Sequence, residues 1–129
     1  MWARHPALIG SLAGCTAAPR RSRVPRIDCR AALSQGPRRN GLRPALDVTL
    51  ESAAAQRGSA VIGVVLTGMG HDGVAGARCV KAAGGVVIAE AESTAAVYGM
   101  PRGVVEAGLA DYVAPLPEIP ALLTRLVAH

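Results

Sequence analysis

Val61-Ile62-Gly63-Val64-Val65-Leu66 runs directly into Thr67-Gly68-Met69-Gly70-His71-Asp72-Gly73. Six residues of unbroken apolar character, four of them β-branched, predict a strand buried on both faces, as in a parallel sheet. Three glycines within the next seven residues predict a sharp loop that brings backbone N–H groups close together. Beyond the loop, Val74, Ala77 and Val80 recur at helical spacing as far as the stop at Gly84-Gly85, and Val86-Val87-Ile88-Ala89 repeats the buried-strand composition. Strand, helix and strand within about thirty residues make a βαβ unit. Residues 61–66 and 86–89 are therefore expected to be adjacent parallel strands, with residues 74–83 as the helix between them.

The pattern extends in both directions. Upstream, Leu46, Leu50, Ala53 and Ala54 form one face of a helix that Gly58 can close. Downstream, Ser93 or Thr94 is expected to cap a short helical turn ending at Gly99. Pro101 suits the first position of a further helix closed by Gly108. Tyr112-Val113 reads as a third strand, and Pro117-Glu118 opens a last helix with Ile119, Leu122, Leu123 and Leu126 as its buried stripe. The fold class is α/β, a three-layer arrangement with a mostly parallel sheet covered by helices. Before residue 46 the signals thin. Asn40-Gly41 and Ser34-Gln35-Gly36-Pro37 mark turns, residues 26–33 suit a short strand, and residues 1–24 show no period. The expected organisation is a disordered, arginine-rich leader over 1–24 and a single domain over 25–129.

Composition narrows the functional classes. Half of the 129 residues are apolar, yet the chain has no Phe, one Trp and two Tyr, so its core is built of small aliphatic groups. Residues 1–45 hold nine arginines and one acid, Asp28, whereas residues 46–129 hold five bases and eight acids. A basic arm of this kind suits nucleic acid or a membrane surface. Here no aromatic residue interleaves the arginines to stack on bases, so no nucleic-acid partner is expected. No apolar stretch approaches the ~20 residues that cross a bilayer, so no stable membrane insertion is expected either. Leu12-Ala13-Gly14-Cys15 looks like a lipoprotein cleavage box, but the apolar run before it is short and its basic flank thin. Cys15, Cys29 and Cys79 lack metal-ligand spacing and fit free thiols in a reducing cytoplasm. No metal or cofactor is expected.

In an open α/β sheet, chemistry sits at the carboxyl ends of the strands. That places the 67–73 loop at the centre, with Asp72 as its polar functional group, Thr67 available to cap the loop and His71 facing solvent. The same residues formally fit another pattern. Gly68-x-Gly70-x-x-Gly73 after a strand, with Glu90 ending the next strand, matches the dinucleotide-binding fingerprint.

A longer series of motifs separates these readings. Gly36-Pro37-x-x-Asn40-Gly41-x-Arg43-Pro44-Ala45-x-Asp47 precedes Thr67-Gly68-Met69-Gly70-x-Asp72-Gly73. Ala83-Gly84-Gly85, Val97-Tyr98-Gly99-Met100-Pro101-Arg102 and Glu106-Ala107-Gly108-Leu109 follow. In this order and spacing the chain resembles the catalytic domain of the chemotaxis methylesterase CheB, over about residues 19–126. The resemblance implies hydrolysis of glutamate methyl esters on methyl-accepting chemoreceptors in the cytoplasm, with glutamine deamidation in some members. It also implies a Ser-His-Asp triad and a receiver domain that relieves inhibition when phosphorylated. In such a triad the serine attacks, the histidine relays its proton, and the aspartate fixes the histidine tautomer. Ester hydrolysis needs no metal when backbone donors hold the oxyanion.

Carried over residue by residue, Asp72 matches the triad aspartate. Met69 matches the methionine of the oxyanion loop, its N–H serving as a donor. The family's Gly-x-Ser-Thr-Gly-Gly nucleophile segment and its glutamine-preceded histidine have no counterpart here: Ser11 lacks a glycine elbow, His5 lacks the glutamine, and His71 is not the base. Leu42 stands where the family usually has histidine. The expectation is a partial catalytic domain, its C-terminal part, without the receiver domain or the N-terminal catalytic half and inactive alone. The competing expectations are a non-catalytic receptor-binding module using the surface around Met100-Pro101-Arg102, and the dinucleotide-binding unit.

Overall fold

The computed structural model describes residues 35–128 together with the backbone of two short strands, β1 (Thr16–Ala17) and β2 (Ile27–Asp28), which pair antiparallel. The expected disorder of the leader and the cleavage-box reading at Cys15 otherwise lie outside the described residues. β2 falls within the strand expected at 26–33 and is two residues long.

The central sheet has three strands in the order β3 (Ile62–Val65), β4 (Val86–Glu90) and β5 (Tyr112–Ala114), all parallel. Ile62 stands opposite Val86 and Val65 opposite Ala89; Ile88 stands opposite Tyr112. The helix between the first two strands is α2 (Val74–Ala82), so the βαβ unit stands where the apolar runs placed it. α1 (Leu46–Arg57) precedes the sheet, α3 (Gly99–Glu106) joins β4 to β5, and α4 (Ile119–Val127) follows a 3-10 turn at Leu116–Glu118.

Alternation along the strands sends side chains to two separate cores. Val65 and Val87 pack with Leu50, Ala53 and Ala54 of α1, Ala77 and Val80 of α2, and Val104 of α3. Ile88 and Ala114 pack on the opposite face with Ile119 and Leu122 of α4, and Leu123 and Leu126 complete the stripe. The three-layer expectation holds: α1, α2 and α3 cover one face of the sheet and α4 the other. Without Phe, close approach does the work of bulk. A methyl placed on Gly76 of α2 would stand 2.6 Å from Leu50 Cβ, too close for two carbons, so the α1–α2 crossing is as tight as a glycine allows.

The start of α3 differs from the sequence reading. Gly99 does not end a helical turn; it opens α3, two residues before Pro101. The reason is tertiary. A Cβ on Gly99 would meet the Gly68 oxygen at 3.0 Å and the Gly70 nitrogen at 3.1 Å, so the helix starts in contact with the glycine loop. Pro101 is tolerated inside the first turn because the N–H it lacks would have no intrahelical partner there. The Asn40-Gly41 signal becomes a tight hairpin. Both residues have positive φ (52° and 75°), and Arg39 and Leu42 exchange two 2.8 Å backbone hydrogen bonds across it.

Candidate active site

The carboxyl ends of β3 and β4 release the chain into two segments that clip together. Thr67 Oγ1 accepts from the Val97 N–H at 2.7 Å and donates to the Val97 carbonyl at 3.1 Å. Gly68 N–H donates to the same carbonyl at 2.9 Å, and Met100 N–H returns to the Gly68 carbonyl at 2.8 Å. The Met100 side chain lies over Gly68, in space that any Cβ there would fill. The 67–73 and 97–102 motifs of the resemblance are therefore one surface. Thr67 acts as expected, tying the loop down.

Beneath this clip sits Glu90, 1 % exposed. Its carboxylate accepts from the Thr67 N–H at 2.9 Å and from the Thr94 hydroxyl at 2.9 Å; Thr94 Oγ1 in turn accepts from the Leu116 N–H at 2.9 Å. One buried acid thus ties together the segments that follow all three strands of the sheet. A buried charge is stable only with such partners.

Asp72 is also buried, 6 % exposed. Its Oδ2 accepts from the Leu46 N–H at 2.6 Å and its Oδ1 from the Asp47 N–H at 2.9 Å, which are the first two amides of α1. Ala45, the residue before that helix, has no side-chain acceptor, so Asp72 supplies the cap from across the fold. Each carboxylate oxygen makes one such bond, and each has a second lone-pair direction for a further donor. Met69 stands beside it in sequence with its side chain 82 % exposed, and its N–H donates to no carbonyl among the described residues. His71 is exposed, as expected. Among the described residues no group of three or more His, Cys, Asp or Glu stands where it could share a metal ion, and no helix is long and apolar enough to cross a membrane.

The dinucleotide reading does not survive this geometry. Phosphate binding at a Gly-x-Gly-x-x-Gly loop needs free N–H groups at the start of the following helix. Here the Gly73 and Gly76 amides of that helix both donate to Asp47 Oδ1, at 2.9 and 2.7 Å. Glu90, the supposed ribose partner, is enclosed and engaged. At 100–102, Pro101 is buried, Met100 packs on the glycine loop, and exposed Arg102 pairs with Glu106 at 2.8 Å.

Sequence reading missed Asp47. It is 1 % exposed, and its carboxylate takes a third hydrogen bond, from Asn40 Nδ2 at 3.2 Å. A signal existed. Asp47 lies three residues before Leu50 and seven before Ala54, on the buried stripe, where an acid is out of place unless partnered.

Three comparisons with known proteins bear on this surface. Residues 13–123 match the family model described as CheB methylesterase. The protein-glutamate methylesterase/protein-glutamine glutaminase 5 of Myxococcus xanthus is 57 % identical over 97 residues, covering 75 % of this chain and 28 % of that protein. The protein-glutamate methylesterase/protein-glutamine glutaminase of Thermotoga maritima is 53 % identical over 88 residues, covering 68 % of this chain and 26 % of its own length. The crystal structure of the Thermotoga maritima CheB methylesterase catalytic domain superposes with a TM-score of 0.69 at 45 % identity, over 79 % of this chain and 52 % of that one. The chain thus spans little more than a quarter of these curated relatives and about half of the solved catalytic domain.

Proposed function

The chain belongs to the CheB methylesterase family, and from that premise we propose that it supplies the acid and one oxyanion donor of a cytoplasmic protein-glutamate methylesterase. The observation that carries the reading is the state of Asp72. Its carboxylate is dry, held by two backbone amides, and has lone pairs left for one more donor. That is what a triad acid requires, because its work is to hold an imidazole in one tautomer and stabilise the imidazolium as it forms. The Met69 N–H, three residues away on a loop clipped at Gly68, is the donor for the tetrahedral oxyanion.

The substrate would be the methyl ester of a glutamate side chain on a methyl-accepting chemoreceptor, and the same acyl chemistry would serve glutamine deamidation. Attack by a serine and proton relay by a histidine are steps for which the 129 residues hold no recognisable motif. The purified chain alone is therefore expected to release no methanol from methylated receptor above a buffer blank.

The test is complementation. The serine- and histidine-bearing part of the Thermotoga maritima catalytic domain is mixed with this chain, and methanol release from methylated receptor is followed. The reading predicts turnover on mixing, reduced on the order of 10⁴-fold by Asp72→Asn with the folded structure intact. Turnover that Asp72→Asn leaves unchanged would show that Asp72 is not the acid of the triad, and turnover by the isolated chain that disappeared with Asp72→Ala would show that the chain carries a serine nucleophile of its own.

A further inference from the structure

α1 and α2 both begin on residues that cannot cap them. Ala45 and Gly73 precede the two helices, and neither carries a side-chain oxygen. Each helix takes its acceptor from the other. Asp72, at the entrance to α2, accepts from the Leu46 and Asp47 amides at the start of α1. Asp47, in the first turn of α1, accepts from the Gly73 and Gly76 amides at the start of α2. The arrangement is reciprocal: Asp47 donates its backbone N–H to Asp72 and binds with its side chain the amide directly after Asp72.

Two buried carboxylates this close in the fold are costly unless each is neutralised. The neutralising charge comes from the two helix N-termini, whose amides and dipoles favour an anion there. Asn40, fixed in its hairpin turn at φ 52°, adds a donor to Asp47 Oδ2. Nothing comparable steadies Asp72 from its own loop, where Gly70 and Gly73 have φ of 86° and 107°. A triad acid must keep its oxygens within about 0.5 Å and 10–20° of one geometry to select a histidine tautomer. In a loop of glycines, that constraint has to be imposed from outside.

We propose that Asp47 is the positioning residue for Asp72: by clamping the start of α2 to α1, it fixes the direction in which the Asp72 carboxylate points. The catalytic meaning of that direction rests on the methylesterase reading. The clamp itself does not, and it is measurable without turnover.

The experiment is amide hydrogen exchange, with the Asp72 carboxyl ¹³C shift, on the full 129-residue chain at fixed pH. Wild type is compared with Asp47→Ala, Asp47→Asn and the swap Asn40→Asp/Asp47→Asn. The β4 amides of Val87 and Ile88 report the global fold. Asp47→Ala is expected to speed exchange at Leu46 and residue 47 by about tenfold or more relative to β4, the loss of an ordinary hydrogen bond. The Asp72 carboxyl shift should move with it. Asp47→Asn keeps an oxygen for Gly73 and Gly76 and loses the acceptor for Asn40, so its effect should be smaller, and the swap should restore both readouts. Should Asp47→Ala abolish β4 protection, the Asn variant and its swap partner give the same comparison in a folded chain. The proposal is overturned if Gly73 and Gly76 lose protection while Leu46, residue 47 and the Asp72 shift stay as in wild type. Asp47 would then cap α2 and do nothing for Asp72. Absence of turnover by the wild-type chain in the complementation assay, with the exchange and shift changes of the Asp47 variants as expected, would count against the esterase reading and leave the clamp standing.

Discussion

Gly76→Ala tests the closest approach in the fold. A methyl at Gly76 would lie 2.6 Å from Leu50 Cβ and 3.1 Å from both Cα and O of Asp47. None of these is the free end of a flexible side chain. Carbon contacts settle at about 3.5–4.0 Å, so α1 would have to withdraw by about 1 Å from α2. Overpacking of this kind costs about 1–3 kcal/mol. Withdrawal also stretches the 2.7 Å bond from the Gly76 N–H to Asp47, a further cost of about 1 kcal/mol. Against this, alanine gains up to about 1 kcal/mol of helix propensity over glycine, less near a helix start. The net is a destabilisation of about 2 kcal/mol, or about 10 °C in melting temperature for a domain of this size. Urea denaturation followed by circular dichroism measures it, with Gly103→Ala as the control. There the added methyl meets only a Val74 methyl, at 3.1 Å, which a rotamer change can move. Gly103→Ala should fall within about 1 kcal/mol of wild type. A Gly76→Ala chain with an unchanged or higher urea midpoint, at the same m-value, would refute the claim that this contact sets the helix crossing.

Other perturbations have outcomes of their own. Asp72→Ala leaves the Leu46 and Asp47 amides without their acceptor and should cost about 1–2 kcal/mol in chemical denaturation even where no activity is being measured. Asp72→Asn, which keeps an oxygen, should cost less. Glu90→Ala orphans the Thr67 amide and the Thr94 hydroxyl and should lower stability by about 1–3 kcal/mol, with hydrogen exchange at Thr67 and Leu116 rising first. At the opposite end of the sheet, partial burial would raise the Asp111 carboxyl, but hydrogen bonds from Lys81 Nζ (2.6 Å) and the Val87 N–H (2.8 Å), with the Lys81 charge, hold it below the ordinary carboxylate range. A folded value below the unfolded one means stability that is present above the unfolded value and lost as pH falls through the folded one. The urea midpoint should therefore decline as pH falls below about 4, and Asp111→Asn should flatten that decline by a small amount, since the pair is about one-third exposed to solvent.

Much of this fold is legible in the order of residues, for reasons that are local. A short apolar run rich in β-branched residues reads as a buried strand, and two of them, at 61–66 and 86–89, separated by a helix-length segment leave little choice but a parallel βαβ unit. The α4 stripe at Ile119, Leu122, Leu123 and Leu126, the Asn40-Gly41 turn and the place of Asp72 in a glycine loop beyond a strand are consequences of the same short-range chemistry. The family followed from motifs whose spacing is itself a sequence property.

What tertiary structure decided is where the buried charges go. Glu90 ends its strand in a position that a fingerprint assigns to a ribose, and only packing shows its oxygens already taken by Thr67 and Thr94. Gly99 looked like a helix stop because glycine usually is one; it became a helix start packed against the glycine loop, where a Cβ would stand 3.0 Å from the Gly68 oxygen. Asp47 and Asp72 are 25 positions apart, and no local pattern pairs them. Each helix lacks a cap of its own, and the deficit is satisfied only when the two N-termini meet. Hydrogen-bond deficits at helix ends are visible in a sequence, but which distant side chain fills them depends on how the helices cross.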